Sequence, residues 1–301
     1  MKIVQIVGPS FSGSTVLGFV LNTKKGWTFG SEMYRFLKGF RESNGVENNP
    51  NKICCTVCGP ECSFWSFDLK SGIFDSDTNT LSDVYRLVSE YHHDVDVLID
   101  GSKLFRWYKG TSPDARLVTC KHPIRLLASF AYNSRARLGC DSDDLREFGQ
   151  FLSDNLDEIL VQFDQRLISY IEIYKTALSG SISSFLCRTD ELHYDDFFHF
   201  EELCTYLGCR SSDFSPTKFS EYSVHPVSGN RAPHWQVSRA RSVSSKDRAR
   251  FEYYSEAESV GDLKIDDKYK IIFDASVRNS ILSLSSYNSL CKNLGYSFDV
   301  K

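Results

Sequence analysis

The chain reads as an α/β protein with a central parallel sheet flanked by helices. Three observations lead there. Strand-like apolar runs alternate with helix-period segments along the chain; the first strand runs straight into a glycine-rich loop and a helix; and 301 residues with 41% apolar and 25% charged side chains suit one sizeable soluble core.

The first element is Lys2-Ile3-Val4-Gln5-Ile6-Val7, an apolar run that predicts a buried strand. After the glycines, Val16-Leu17-Gly18-Phe19-Val20-Leu21 predicts a helix. Gly26 to Gly30 predicts a short second strand, and Glu32 to Phe40 a second helix. Residues 43–78, rich in Asn, Cys, Gly, Ser and Asp, predict an irregular excursion. Leu81, Val84, Tyr85 and Val88 have helical spacing over Leu81 to Tyr91, and Asp96 to Asp100 predicts a third strand ending in Gly101-Ser102-Lys103. Ala115 to Cys120 predicts a fourth strand, leading through Lys121-His122-Pro123 into a helix to about Arg137. Pro123 suits the first helical turn, where its missing N–H has no partner to lose. Residues 143–178 predict helix, with Phe148, Leu152, Leu156, Leu160, Phe163, Leu167 and Ile171 as its core stripe. Ser183 to Cys187 predicts a fifth strand and Asp196 to Leu207 a helix closed by Gly208. Segment 211–250 is polar and Ser-rich and reads as loop, and Val277 to Leu294 predicts a last helix before Gly295. No internal repeat is present. Residues 1–301 therefore form one domain with irregular insertions around 43–78 and 211–250.

A net charge of −4 argues against nucleic acid as a partner. No apolar stretch is long enough to span a membrane. With the first strand beginning at Lys2 there is no room for a signal peptide ahead of it, so the expected location is the cytoplasm. Ten cysteines are many for such a chain, and Cys54, Cys55, Cys58 and Cys62 cluster ahead of Phe64-Trp65. Reduced structural thiols, a local disulfide and a shared zinc ion all fit that spacing. No second Cys/His pair at finger-like spacing follows, and no metal ligand is assigned.

Gly8-Pro9-Ser10-Phe11-Ser12-Gly13-Ser14-Thr15 has two glycines at Walker spacing between a strand and a helix. That geometry aims backbone N–H groups and a positive helix end at one phosphate. An ATPase adds a lysine that reaches the β- and γ-phosphates and a Ser/Thr that holds magnesium. Here Ser14 stands at the lysine position, and Thr15 keeps the hydroxyl. The loop suits a single 5′-phosphate without a metal-bridged triphosphate tail; a glycine turn with no ligand is the competing reading.

Three segments together resemble the sulfotransferases that use 3′-phosphoadenosine 5′-phosphosulfate (PAPS). Ser12-Gly13-Ser14-Thr15 is similar to the family's 5′-phosphosulfate loop. Arg116 through Ser129 is similar to its 3′-phosphate element, in which a basic residue ends a strand and a serine follows eight positions later; Lys121 and Ser129 meet that spacing. Leu98-Ile99-Asp100-Gly101-Ser102-Lys103 resembles the Asp-Ser-Ser-Lys segment of many bacterial members. Weaker echoes are Cys58-Gly59 to Cys62 with Phe64-Trp65, Arg188 to Leu192, and His225 through Arg231. The resemblance implies a P-loop-like sulfotransferase fold, PAPS as co-substrate, adenosine 3′,5′-bisphosphate as product and no metal requirement. It places Ser10, Phe11, Ser12, Gly13, Ser14 and Thr15 at the 5′ side and Lys121, Ser129 and Arg231 at the 3′-phosphate, which a guanidinium grips through two hydrogen bonds. It makes Glu32 the base that takes the acceptor proton and Lys103 the cation at the departing phosphate. The basic run Arg239, Arg241, Lys246, Arg248 and Arg250 lies near Arg231 in sequence and reads equally as a solvated face.

Departures from the family pattern shift the roles. Phe11 stands where the family has Lys or Arg before the loop Ser-Gly, so the transition-state cation falls to Lys103. Lys121 replaces the usual arginine, keeping charge without the fork. His122 and His225 are reserve bases. The expected acceptor is a small molecule, a natural product carrying a hydroxyl or else an amine or carbamoyl nitrogen, and 22 Phe with 15 Tyr suit a ring-containing one. The oligomeric state has no sequence signal. Two other classes compete: a P-loop kinase or NTPase, opposed by Ser14, and a non-catalytic adenosine bisphosphate-binding module, motivated by Phe11.

Overall fold

Five apolar segments pair into a single sheet in which every strand runs the same way. They are β1 (Lys2–Val7), β2 (Trp27–Ser31), β3 (Val97–Lys103), β4 (Ala115–Cys120) and β5 (Ser184–Arg188), in the order β2-β3-β1-β4-β5. The computed structural model describes residues 1–46, 49–76, 78–179, 182–191, 201–215, 217–218, 221, 223–228, 258–259, 262 and 267–298. β1, β3 and β4 are buried along almost their whole length because helices cover both faces, as parallel sheets require.

Alternate residues of each strand feed two cores. Val4, Ile6, Val97, Ile99 and Leu117 pack with α1 (Ser14–Leu21) and with Leu203 and Cys204 of the helix Glu201–Leu207. Ile3, Val7, Leu98, Val118 and Cys120 face the larger cluster built on Leu81–Tyr91, α2 (Pro123–Asn133), Leu156–Leu178 and Ser285–Leu294. Of the expected stripe, Phe148, Leu152, Phe163, Leu167 and Ile171 are buried, and Leu156 and Leu160 are half-buried against the same cluster.

Where the observed elements differ from expectation, short breaks are the cause. Glu32 to Phe40 is not one helix: Met33–Phe36 is a 3-10 turn, Leu37 is extended, and Lys38–Ser43 is a separate helix. Segment 143–178 is two helices, Leu145–Asp154 and Leu156–Leu178, broken at Asn155. Leu284 likewise splits the C-terminal helix into Ala275–Ser283 and Ser285–Leu294. The excursion at 43–78 contains a helix, Phe67–Asp75, whose start is set by Ser66 accepting from the Leu69 N–H. Most of 211–250, with the basic run and Arg231, and all of 196–200 lie outside the described residues.

In a parallel sheet the carboxyl ends of all strands share one edge, where ligands bind in open α/β folds. Here that edge carries the glycine-rich loop after β1, Glu32 after β2, Lys103 closing β3 and Lys121 after β4. At the loop, β1 and β4 approach so closely that a Cβ on Gly8 would stand 2.6 Å from the Thr119 carbonyl oxygen and 2.7 Å from its hydroxyl. Gly8→Ala should therefore force the two strands apart and destabilise the protein by about 1–3 kcal/mol, the usual range for overpacking. A chemical-denaturation midpoint unchanged from that of the parent protein would refute this.

Candidate active site

The loop after β1 is shaped from within. Ser12 donates its N–H to the Pro9 carbonyl at 3.3 Å, and its hydroxyl pairs with that of Thr119 at 2.7 Å. The Thr189 hydroxyl bonds both the Ser12 carbonyl, at 2.7 Å, and the Cys120 carbonyl, at 2.9 Å, tying the loop to β4 and β5. Ser12 is fully buried and acts by holding the loop's shape. Gly13 sits in the left-handed region, φ 87°, directly before α1. The first turn, from Ser14 to Leu17, contains no acid, so the helix start keeps its positive electrostatic character. Ser14 and Thr15 are buried there, Phe11 is half-buried and Ser10 is exposed.

Across the same edge, Glu32 and Lys103 meet. Lys103 Nζ lies 3.0 Å from Glu32 Oε1, while Tyr34 Oη and Arg35 Nε each lie 3.4 Å from Oε2. Both partners of the ion pair are mostly buried, at 13% and 17% side-chain exposure. Burial pushes the Glu32 carboxyl up. The Lys103 charge and hydrogen bond, a hydrogen bond from the Ser228 hydroxyl and the Arg35 charge outweigh it and hold the carboxyl below its ordinary value. Glu32 is therefore an ionised carboxylate at neutral pH.

Backbone strain marks the same place. Among the described residues, three that are not glycine have φ in the left-handed region: Phe11 at 73°, Ser31 at 62° and Lys103 at 64°. Each such residue costs on the order of 1 kcal/mol, and such residues concentrate at functional sites. The register of β1 against β3 and of β2 against β3 also shifts at this edge, between Gln5 and Val7 and between Phe29 and Ser31. These irregularities fall in the strand ends that lead to Glu32 and carry Lys103, the kind of place where a bulge re-aims a side chain.

Behind the pair, Asp100 is fully buried. Its carboxylate accepts from the Ser102 N–H at 2.8 Å, the Ser102 hydroxyl at 2.6 Å and the Tyr85 hydroxyl at 2.6 Å; Ser102 in turn accepts from the Tyr34 N–H at 3.1 Å. Burial pushes Asp100 up to about 6 against those hydrogen bonds. Its connections run to the backbone on both sides of the pair, so Asp100 braces the turn after β3 and the 3-10 turn after β2.

The 3′-phosphate candidates sit beside β1. Lys121 follows β4 and Ser129 lies in the second turn of α2; both are buried, at 7% and 5% exposure. Arg231 lies outside the described residues.

The reserve bases have other surroundings. His122 caps α2: Nδ1 accepts from the Ile124 N–H at 3.5 Å, and Nε2 donates to the Ser297 carbonyl at 3.0 Å. Burial pulls its pKa below the ordinary histidine value, in keeping with this neutral tautomer. Both ring nitrogens are occupied, which leaves His122 a structural role. The His225 ring lies among cysteines, 3.2 Å from Cys62 Sγ and 3.5 Å from Cys58 Sγ. Sequence reading missed two contributors: Thr189, which stitches the loop, and Ser228, which reaches Glu32. Each falls inside one of the weaker echoes, Arg188 to Leu192 and His225 through Arg231, but lies more than a hundred residues from Ser12 or Glu32, so the sequence signals the segment and not the contact.

The fold has a precedent. The structure superposes on the sulfotransferase domain of the olefin synthase of Synechococcus PCC 7002 with a TM-score of 0.57, covering 100% of this chain and 96% of that one at 13% identity. The chain has a sulfotransferase-type α/β fold. No protein-family model matches the chain, and no curated protein does. Among the described residues, no helix is long and apolar enough to cross a membrane.

Proposed function

We propose that the protein is a sulfotransferase that moves the sulfuryl group of PAPS to a hydroxyl, or to an amine or carbamoyl nitrogen, of a small-molecule acceptor. The observation that carries this reading is the convergence, on one sheet edge, of a lysine-free phosphate loop, the Glu32–Lys103 pair and Lys121. PAPS has two separate anionic ends, and the edge offers a cradle for each. The loop and the start of α1 receive the 5′-phosphosulfate, and Lys121 with Ser129 receives the 3′-phosphate, with Arg231 as a further ligand to it.

In the reaction the acceptor oxygen attacks sulfur from the side opposite the bridging oxygen. A new O–S bond forms as the S–O bond to the 5′-phosphate breaks, the acceptor proton passes to Glu32, and adenosine 3′,5′-bisphosphate leaves with the bonding electrons. Lys103 neutralises the charge that appears on the departing phosphate oxygen. Its ammonium bonds Glu32 at 3.0 Å. When the phosphosulfate draws it away, burial acts on Glu32 with less opposition and the carboxylate becomes a stronger base. Tyr34, stacked on Trp107 at a 4.7 Å centroid separation, forms an aromatic wall next to Glu32 and suits a ring-bearing acceptor. None of these steps calls on a metal ion.

Calorimetric titration with adenosine 3′,5′-bisphosphate in magnesium-free buffer, with ATP as comparison, tests the reading. Binding of the bisphosphate is expected, weakened about 10- to 100-fold by Lys121→Ala, the size of a lost hydrogen bond to a charged group. Binding of magnesium-ATP alone, or no binding, would return the loop to the kinase and NTPase class.

A further inference from the structure

The cysteine cluster and His225 play no part in that chemistry, yet they are brought together with care. Cys55, Cys58 and Cys62 come from one segment and His225 from another more than 160 residues away, and their four ligand atoms all lie within 4.8 Å of one another. We propose that Cys55, Cys58, Cys62 and His225 bind one zinc ion as a closed structural site. Zinc bonds of about 2.3 Å to sulfur and about 2.0–2.1 Å to nitrogen, set tetrahedrally, require sulfur–nitrogen edges of about 3.6 Å. The His225 Nδ1 distances of 3.2 and 3.5 Å to Cys62 and Cys58 are within a few tenths of an ångström of that.

The backbone is arranged for thiolates. Cys55-Thr56-Val57-Cys58-Gly59 closes a tight turn in which Gly59, at φ 78°, donates its N–H to the Cys55 carbonyl at 3.0 Å. Inside it the Cys58 N–H points at Cys55 Sγ, 3.3 Å away, and the Trp65 N–H points at Cys62 Sγ, 3.5 Å away. Such donors offset the negative charge that three thiolates bring to one ion. His225 is oriented from behind: Nε2 faces the Ser223 hydroxyl at 3.2 Å, which directs Nδ1 to the sulfurs, and its ring stacks on Phe64. The Trp65 indole N–H donates to the His225 carbonyl at 2.6 Å. Cys54 is turned away, toward the Asn51 carbonyl. A disulfide would employ two of the three sulfurs and leave the third and the imidazole without a purpose; one tetrahedral ion employs all four.

With four protein ligands the ion has no open position and performs no chemistry on substrate. Its effect is to clamp segment 223–228 to the excursion after β2. That segment also donates the Val227 N–H to the Gly30 carbonyl and places Ser228 on Glu32, so the clamp holds one wall of the candidate active site.

Metal analysis of protein purified without chelator tests the proposal independently of any sulfotransferase assay. About one zinc per chain is expected, retained in Cys54→Ser and lost in Cys62→Ser and His225→Ala. Should the ligand variants fail to fold, Ser223→Ala is expected to fold and to weaken zinc about 10- to 100-fold in a competition with a chromogenic chelator. Cobalt replacement should produce the intense visible bands of a tetrahedral thiolate site, altered in His225→Cys. Absence of zinc from the reduced protein even after incubation with the ion, unchanged zinc affinity in Ser223→Ala, or a native disulfide joining any two of Cys55, Cys58 and Cys62 would overturn it.

Discussion

Glu32→Gln is expected to lower turnover by a factor of ~10²–10⁴, the usual contribution of a positioned general base, while leaving affinity for adenosine 3′,5′-bisphosphate within a few-fold of the parent. Glutamine has nearly the shape of glutamate and keeps one oxygen for Lys103, Tyr34 and Arg35, so the pocket survives. What it lacks is a lone pair basic enough to take the acceptor proton. Paired measurements of PAPS-dependent turnover and bisphosphate binding decide the matter. Full activity in the variant would remove Glu32 from the chemistry; parallel loss of binding and rate would make it a positioning residue. A parent protein that binds the bisphosphate but shows no turnover with any acceptor would favour the binding-module reading.

Lys103→Ala should cost about 10²–10³ in kcat, as for removal of one preorganised donor at a developing oxyanion. It should also move the acid limb of the kcat/KM profile. In the parent, Lys103 and its neighbours hold the Glu32 carboxyl below its ordinary value of 4.5, so the free enzyme keeps an ionised base below that pH. Without Lys103, burial opposes only Ser228 and Arg35, the pKa rises, and kcat/KM falls off at higher pH than in the parent. For the parent, the kcat limb, which reports the cofactor complex, should lie above the kcat/KM limb, because Lys103 then faces phosphate instead of Glu32. A profile identical in parent and variant would show that the ion pair does not tune the base.

The glycine-rich loop after β1 was legible as backbone because its signal is local: a strand, two glycines at fixed spacing and a helix state the geometry without reference to anything else. Four of the five strands were legible for the same reason, each within a residue of its observed ends, whereas β3 continues past the expected end at Asp100 to Lys103. Boundaries inside helical stretches were not. Asn155 and Leu284 break helices whose apolar period continues across the break, and only packing reveals the change of direction. Glu32 and Lys103 were each singled out, but their salt bridge was not: they are 71 positions apart, and β3 has to lie beside β2 for them to meet.

The histidines show the limit most clearly. In sequence His122 and His225 are alike, two candidate bases near suggestive motifs. In the structure one is a neutral helix cap bonded to Ser297, and the other faces three thiols. The cysteine run could not by itself choose among free thiols, a disulfide and a metal, because the fourth group that converges on it arrives from a distant segment. The sequence by itself determined the α/β class, the glycine-rich loop between β1 and α1 and the types of group available for acid–base work. Those follow from periodicity, glycine and chemistry carried within a few residues. The tertiary structure alone decided which groups are partners, because strand order and side-chain convergence arise from contacts between segments whose separation along the chain says nothing about their distance in space.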